Sequence, residues 1–479
     1  MGRAYTWRCA IIASFGCVLY GYDSIIIAST FAQAGFLETF KPDATILGAF
    51  VSTYFAGTGL ALPIGAYLCD KIGRRYTILC GAILGVIAGI MQAAASANAL
   101  FFVGRIIGGA AVALSLVPVS IYQAEIAPPE LRGAMVALQL TSLCAAGALG
   151  AWVGYATNFS SNISFAWRFP LALQAFPALL LILGVWFIPF SPRWLMMKKR
   201  NDEAKVVLQR LHSDHQDPLF WEKEYYQIRS QLNQDETEQS HRKWHQMFTD
   251  KKERKRLLIA VLAIVSGQSI GAQTIQQYQS VLYIGLGFQL RTILLMTGVF
   301  QLCLVAGGIL CIVAIDRVGR RIMFLSGLAG TSVLLALFVV CTKYYGQTQD
   351  KAWARAGVAV IMLFAFWFGA TYLCTPWTYA TEVLPTRIRA PGAMFASFLG
   401  TCVTIIFSQT SPLAVEALTW KYAFIFIGCN IACFPVVYFY FPETKNLTLE
   451  EVNVLFGERV ELSYDDVSKV EGREIIEVK

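Results

Sequence analysis

Asp70-Lys71-Ile72-Gly73-Arg74-Arg75 returns as Asp316-Arg317-Val318-Gly319-Arg320-Arg321, an offset of 246 residues (316 − 70). Two further echoes keep nearly the same spacing. Glu125 stands seven residues before Arg132 and Glu382 seven before Arg389, an offset of 257 (382 − 125). Pro189-Phe190-Ser191-Pro192 is answered by Pro442-Glu443-Thr444-Lys445 at 253 (442 − 189). Three signals at one period predict a chain of two related halves.

These charged hexapeptides punctuate a sequence with few charges elsewhere. Of 479 residues, 56% are hydrophobic and 15% charged, against roughly 25% charged in an ordinary soluble domain, and the mean hydropathy is +0.53. The apolar stretches run about 20 to 25 residues, enough for a helix to cross roughly 30 Å of hydrocarbon. Strands of an outer-membrane barrel would instead alternate over about ten residues. Twelve transmembrane helices are therefore expected, at 8–30, 46–69, 77–97, 99–122, 134–157, 168–190, 257–284, 292–315, 322–342, 356–381, 390–412 and 420–441, numbered spans 1 to 12.

Lys71, Arg74 and Arg75 follow span 2, Lys198, Lys199 and Arg200 follow span 6, Arg317, Arg320 and Arg321 follow span 8, and Arg387 and Arg389 follow span 10. All are exits of even spans, so the positive-inside rule puts those loops and both termini in the cytoplasm. Two glycosylation acceptors, Asn158 and Asn162, then fall outside, in the loop after span 5. The expected residence is the plasma membrane. The net charge of +8 is explained by these loops without a nucleic-acid partner. Twelve scattered Cys and four His confined to the middle of the chain suggest no metal site and no cofactor. Neither a nucleophile–His pairing nor a phosphate loop argues for an enzyme.

The expected organisation is an all-α membrane protein: an N-terminal six-helix bundle (1–190), a cytoplasmic linker with short helices (191–256), a C-terminal six-helix bundle (257–442) and a cytoplasmic tail (443–479), acting as a monomer. Related halves around a midplane cavity suit alternating access. Asp70, Arg74, Arg75, Glu125 and Arg132 in one half, and Asp316, Arg320, Arg321, Glu382, Arg389 and Glu443 in the other, form a candidate cytoplasmic gate of ion pairs, expected to break when the cavity faces inward.

Within the spans two ionisable residues stand out. Asp23 and Arg105 would each cost roughly 2.5–3.5 kcal/mol unpaired at a helix centre. Counting about 1.5 Å per residue puts both about 8 to 9 Å below the outer face, so they are expected to pair. Beside a water-filled cavity, protonation of the Asp would release the Arg, a route to proton coupling. Span 7 offers Gln268, Gln273, Gln276, Gln277 and Tyr278 without a charge, suited to a neutral polyol. Trp377, beside the helix-breaking Pro376, offers an aromatic face.

These residues resemble the sugar porters of the major facilitator superfamily: Gly21-Tyr22-Asp23, the two Asp-x-x-Gly-Arg-Arg loops, Gly104-Arg105, Glu125 with Arg132-Gly133, Ser191-Pro192-Arg193-Trp194 and Pro442-Glu443-Thr444-Lys445. The resemblance spans nearly the whole chain and is strongest to fungal proton-coupled members. It implies a central sugar site contacted by Gln268, Gln273, Tyr278, Trp377 and Gln139, and proton coupling through Asp23 and Arg105. The chain departs from the family at Gly267 for a Gln, Gln273 for an Asn, Leu140 for a Gln, Gly400-Thr401 for Asn-Trp, and Phe190 for a Glu. The expected function is sugar:proton symport. The alternatives are a facilitative carrier of a sugar, polyol or quinate-like solute, and a non-transporting sugar sensor.

Overall fold

The computed structural model describes residues 2–128, 132–213 and 246–445, with isolated residues between 220 and 232 and between 452 and 456. Most of the proposed tail, and much of the proposed linker, lie outside that set. Every regular element among the described residues is helical. Among the described residues, eleven segments are long and apolar enough to cross a membrane. The twelfth, Arg132–Thr157, is a 26-residue helix packed along spans 1 and 8.

Span 1 is Gly2–Thr30, span 2 Ala44–Lys71, span 3 Arg74–Ala94, span 4 Asn98–Ile126 and span 5 Arg132–Thr157. Span 6 is Ile163–Leu173 continued by Ala175–Val185, span 7 Lys251–Ser269 continued by Ala272–Gly285, and span 8 Leu290–Val318. Span 9 is Arg320–Thr348, span 10 Lys351–Thr371 then Thr375–Val383, span 11 Thr386–Leu418 and span 12 Ala423–Tyr440. Several helices outrun their apolar stretches because a helix stops at its caps rather than at the edge of the hydrocarbon. Asp43 accepts the Ile46 N–H at 2.7 Å, Asp350 the Ala352 N–H at 2.9 Å, and Asn162 those of Ser164 and Phe165. The last of these starts span 6 five residues earlier than hydropathy suggested, and the helix ends at Val185 rather than 190.

The repeat in the sequence is a repeat in space. Gly73 (φ 90°) and Gly319 (φ 104°) turn the two Arg-rich loops through backbone that L side chains avoid. Arg74 donates to the Cys69 carbonyl as Arg320 does to Ile315. Arg75 donates to the Trp186 carbonyl as Arg321 does to Tyr438. Tyr122 reaches the Pro189 carbonyl at 3.0 Å, and Tyr379 reaches Pro442 at 2.9 Å. Each half thus uses the same residues to fasten the same ends of its helices.

One end of the molecule, carrying these loops, is here the basic end. At the opposite, far end the bundles meet closely. Gln409 of span 11 accepts from Ser52 at 2.6 Å and donates to the Thr45 carbonyl at 3.2 Å. Ser280 of span 7 donates to the Ala28 carbonyl at 2.6 Å, and Gly298 lies against Trp152. A short helix, Ala34–Phe40, unforeseen in the sequence, plugs the N-terminal bundle there. Its Phe36 and Phe40 pack among Phe50, Phe101 and Trp167. Towards the basic end, Leu140 of span 5 touches the cluster of Cys311, Met323 and Cys374.

Candidate functional site

Asp23 and Arg105 meet inside the N-terminal bundle. Arg105 Nη1 lies 3.3 Å from Asp23 Oδ1, with the side chains 0% and 4% exposed. Arg105 Nε also donates to the Phe50 carbonyl at 3.0 Å, and its guanidinium sits 4.3 Å above the Tyr54 ring. Desolvated contacts of that kind contribute about 2 kcal/mol. The pair was expected to face a wet cavity. It is instead packed away from solvent, because the Phe-rich plug and the far-end seal close over it.

Span 7 breaks where its amides begin. Gly271 (φ 90°) separates the two segments, and a side chain there would strike Phe426 at 2.6 Å. Broken helices at membrane depth line cavities, since freed backbone groups need polar neighbours. Gln268 Oε1 accepts from Thr404 of span 11 at 3.0 Å. Gln276 donates to Gln301 of span 8 at 3.3 Å. Gln273 is half-buried. Gln277 is 1% exposed, with neither amide atom hydrogen-bonded. Gln301 and Thr404 were missed in the sequence. An isolated amide in a charge-free stretch, such as Gln301, was the available signal.

Two expected sugar contacts sit elsewhere. Tyr278 belongs to the far-end seal: its hydroxyl donates to the Ser408 carbonyl at 2.8 Å, and its ring lies parallel to Phe31 at 6.2 Å. Helical spacing turns it away from the face shared by Gln273, Gln276 and Gln277. Gln139 spends its amide within its own bundle, on Gln123 at 2.5 Å and Ser120 at 3.0 Å. Trp377 is 50% exposed, one residue beyond Pro376 at the break of span 10. Gly267, where the family carries Gln, faces Pro376, which a Cβ would meet at 3.3 Å. A side chain at Gly400 would strike Ile264 at 2.6 Å.

The gate residues form two clusters at the basic end. Arg74 pairs with Glu125 at 2.9 Å and Asp70 at 3.3 Å, and Arg320 pairs with Glu382 at 2.9 Å. Each cluster lies within its own bundle. With the far end sealed, these pairs remain formed rather than broken, since each ties neighbouring helices of the same half. Arg389 instead donates to the Leu384 carbonyl at 3.2 Å. The side chains of Arg132 and Asp316 lie outside the described residues. Glu443 accepts from the backbone N–H groups of Arg320, Arg321, Thr444 and Lys445 at 2.9–3.0 Å, a carboxylate on the positive end of span 9. At the matching position Phe190 stacks on Trp194 at 5.1 Å and lies under the Arg75 guanidinium at 5.1 Å. An aromatic face there stands in for the missing acid. Asn158 and Asn162 lie in the far-end loop between spans 5 and 6.

The sequence model "Sugar (and other) transporter" matches residues 9–456. The MFS-type transporter criB of Aspergillus cristatus is 33% identical, over 96% of this chain and 95% of that protein. The sugar transporter STL1 of Saccharomyces cerevisiae is 26% identical over 96% and 83%. A quinate permease of Aspergillus niger, itself assigned as probable, is 27% identical over 95% and 89%. Among solved structures, the xylose transporter XylE of E. coli in a partially occluded inward-open conformation superimposes with a TM-score of 0.79 at 20% identity, covering 93% of this chain and all of that one. The fold is thus the two-bundle architecture of that superfamily. With the paired loops, the broken seventh and tenth spans and a family match over nearly its whole length, the chain belongs to the sugar porter family of the major facilitator superfamily, an integral multi-pass membrane transporter and not an enzyme.

Proposed function

We propose that the protein is a sugar:proton symporter working by alternating access, placed in the plasma membrane with the basic end and both termini in the cytoplasm. The far-end seal then makes this conformation an inward-facing one. The observation that carries the reading is the buried ion pair of Asp23 and Arg105, 3.3 Å apart, in a bundle otherwise nearly free of membrane-embedded charge. A charge pair in hydrocarbon is costly and marks ion pathways. A proton on Asp23 would free Arg105 from it, loosening span 1 from span 4. Span 1 also carries Ala28, the acceptor of the Ser280 hydrogen bond in the seal. Protonation and the far-end seal therefore act on the same helix.

A neutral polyhydroxylated solute suits the amides of Gln268, Gln273 and Gln277, which donate and accept without carrying charge. Trp377 supplies an aromatic face on the way to the cytoplasm. Gln139 and Tyr278 take supporting roles in this arrangement, bracing the N-terminal bundle and the seal. A proton descending 100 mV supplies about 2.3 kcal/mol, equivalent to roughly 50-fold accumulation. An anionic cyclitol, as the quinate permease among the relatives suggests, would want an unpaired cation, and Arg105 is taken by Asp23. The Arg–Glu clusters keep the cytoplasmic ends of each bundle rigid as the halves rock. The loop bearing Asn158 and Asn162 faces outward and can carry glycans.

Uptake of a labelled panel of hexoses, pentoses, polyols and quinate by transporter-null cells, at two external pH values and with a protonophore, tests this reading. Concentrative uptake abolished by the protonophore and by Asp23→Asn is expected. Accumulation that survives both would refute the coupling, and uptake of quinate alone would refute the neutral substrate.

A further inference from the structure

Beside the Asp23–Arg105 pair lies a polar residue that neither the motifs nor the sugar path accounts for. Gln92 of span 3 is 0% exposed. It stands two residues from the far end of its helix, Ala94, about 3 Å deep at 1.5 Å per residue. Asp23 and Arg105 each stand seven residues from theirs, about 10 Å deep by the same rise. The Gln92 amide nonetheless lies level with the pair, because Gln92 backs onto Gly104 and its Nε2 faces Gly108, residues on either side of Arg105 along span 4. Its Nε2 donates to the Gly104 carbonyl at 3.2 Å, and its Oε1 is buried without a hydrogen-bond partner.

Span 4 makes room for this amide with two glycines. A Cβ on Gly104 would stand 2.9 Å from Gln92 Cγ. A Cβ on Gly108 would stand 3.3 Å from Gln92 Nε2 and equally 3.3 Å from Asp23 Oδ2. That oxygen is the one not held by Arg105 Nη1. A helix that could have carried Ala or Leu leaves a passage one Cβ wide between the amide and the carboxylate, which the Tyr54 hydroxyl also faces. Buried amides left unpaired cost about 1–3 kcal/mol, so a use in one state of the cycle is the economical explanation. Gln174, 1% exposed and with both amide atoms unpartnered, lies against Gly89 one turn back on the same span.

We propose that Gln92 is a positioning residue for the Asp23–Arg105 pair, offering its amide across the Gly108 gap to Asp23 Oδ2 so that the carboxyl keeps a hydrogen-bond partner when a proton from the far side separates it from Arg105. An amide suits the task because it donates to a carboxylate through Nε2 and accepts from a carboxylic acid through Oε1, without bringing a charge that would compete with Arg105. This inference rests on the reading of Asp23 as the proton carrier.

Infrared difference spectra of the full-length protein in liposomes, recorded as the buffer is stepped from alkaline to acid, test both without requiring a substrate. The protonated carboxyl band that disappears in Asp23→Asn belongs to Asp23. In Gln92→Leu that band is expected to move to higher wavenumber, the mark of a lost hydrogen bond. Gly108→Ala, which puts a methyl group into the gap while leaving Gln92 in place, should move it the same way. An Asp23 band unmoved in a folded Gln92→Leu or Gly108→Ala protein overturns the role of Gln92. The absence of any Asp23-dependent band in the unaltered protein overturns the coupling reading itself.

Discussion

Asp23→Asn removes one charge from an ion pair with almost no access to water, and the energetic consequence can be worked from the contacts. Arg105 would keep the Phe50 carbonyl and the Tyr54 face, but no anion. Breaking a buried pair from one side costs about 3–5 kcal/mol, because the survivor stays charged in a medium that cannot solvate it. Asn retains an acceptor oxygen, so the low end, about 3 kcal/mol, is expected. Arg105→Leu should cost less, about 1–2 kcal/mol, since a lone buried carboxyl can become neutral by taking up a proton and a guanidinium cannot. The double variant should lose no more than Arg105→Leu alone, about 1–2 kcal/mol, giving a coupling of about 3 kcal/mol. Thermal unfolding of detergent-purified protein, followed by size-exclusion chromatography, ranks the four proteins: unaltered, then Arg105→Leu and the double variant, then Asp23→Asn. Losses that simply add in the double variant would show that the two charges do not depend on one another, and would undo both the structural and the coupling argument.

Three other outcomes follow from the same geometry. Gln409→Leu removes the acceptor for Ser52 and the donor to Thr45, so the far end should open more often; a cysteine placed at Gln276 should then react faster with a membrane-impermeant thiol reagent added outside. Gln268→Ala, which deletes a half-buried amide held by Thr404, should raise the KM for the transported sugar about tenfold with little change in maximal rate, the cost of roughly one hydrogen bond. Gly319→Val forces a β-branched residue to φ 104° and sets its Cβ 2.8 Å from Glu443 Oε2. A melting temperature within a degree of the unaltered protein would contradict the strain argued there, which is of order 1–3 kcal/mol.

The membrane class, the number of spans and the doubling of the chain were legible because each depends on local composition or on short motifs. The pairing of Asp23 with Arg105 was legible too, from depth alone. What misled was direction. Tyr278 follows Gln277 by one residue, which turns it about 100° around the helix and into the seal rather than the cavity. The family resemblance implies a sugar contact at Gln139, but two neighbours on span 4 satisfy its amide. The gate pairs were expected to yield as the cavity opens inward, yet Arg74–Glu125 and Arg320–Glu382 each close within one bundle.

By itself the sequence determined that the chain must live in lipid, fold as two related bundles and bring one acid and one base to the same depth, because hydropathy, charge placement and helical rise are local quantities that add along the chain. Only the tertiary structure decided which end is shut, which amides are spent on neighbouring helices and which remain unpaired. Those outcomes depend on how helices distant in sequence rotate and tilt against each other, where a turn of one residue exchanges a cavity-facing side chain for a buried one.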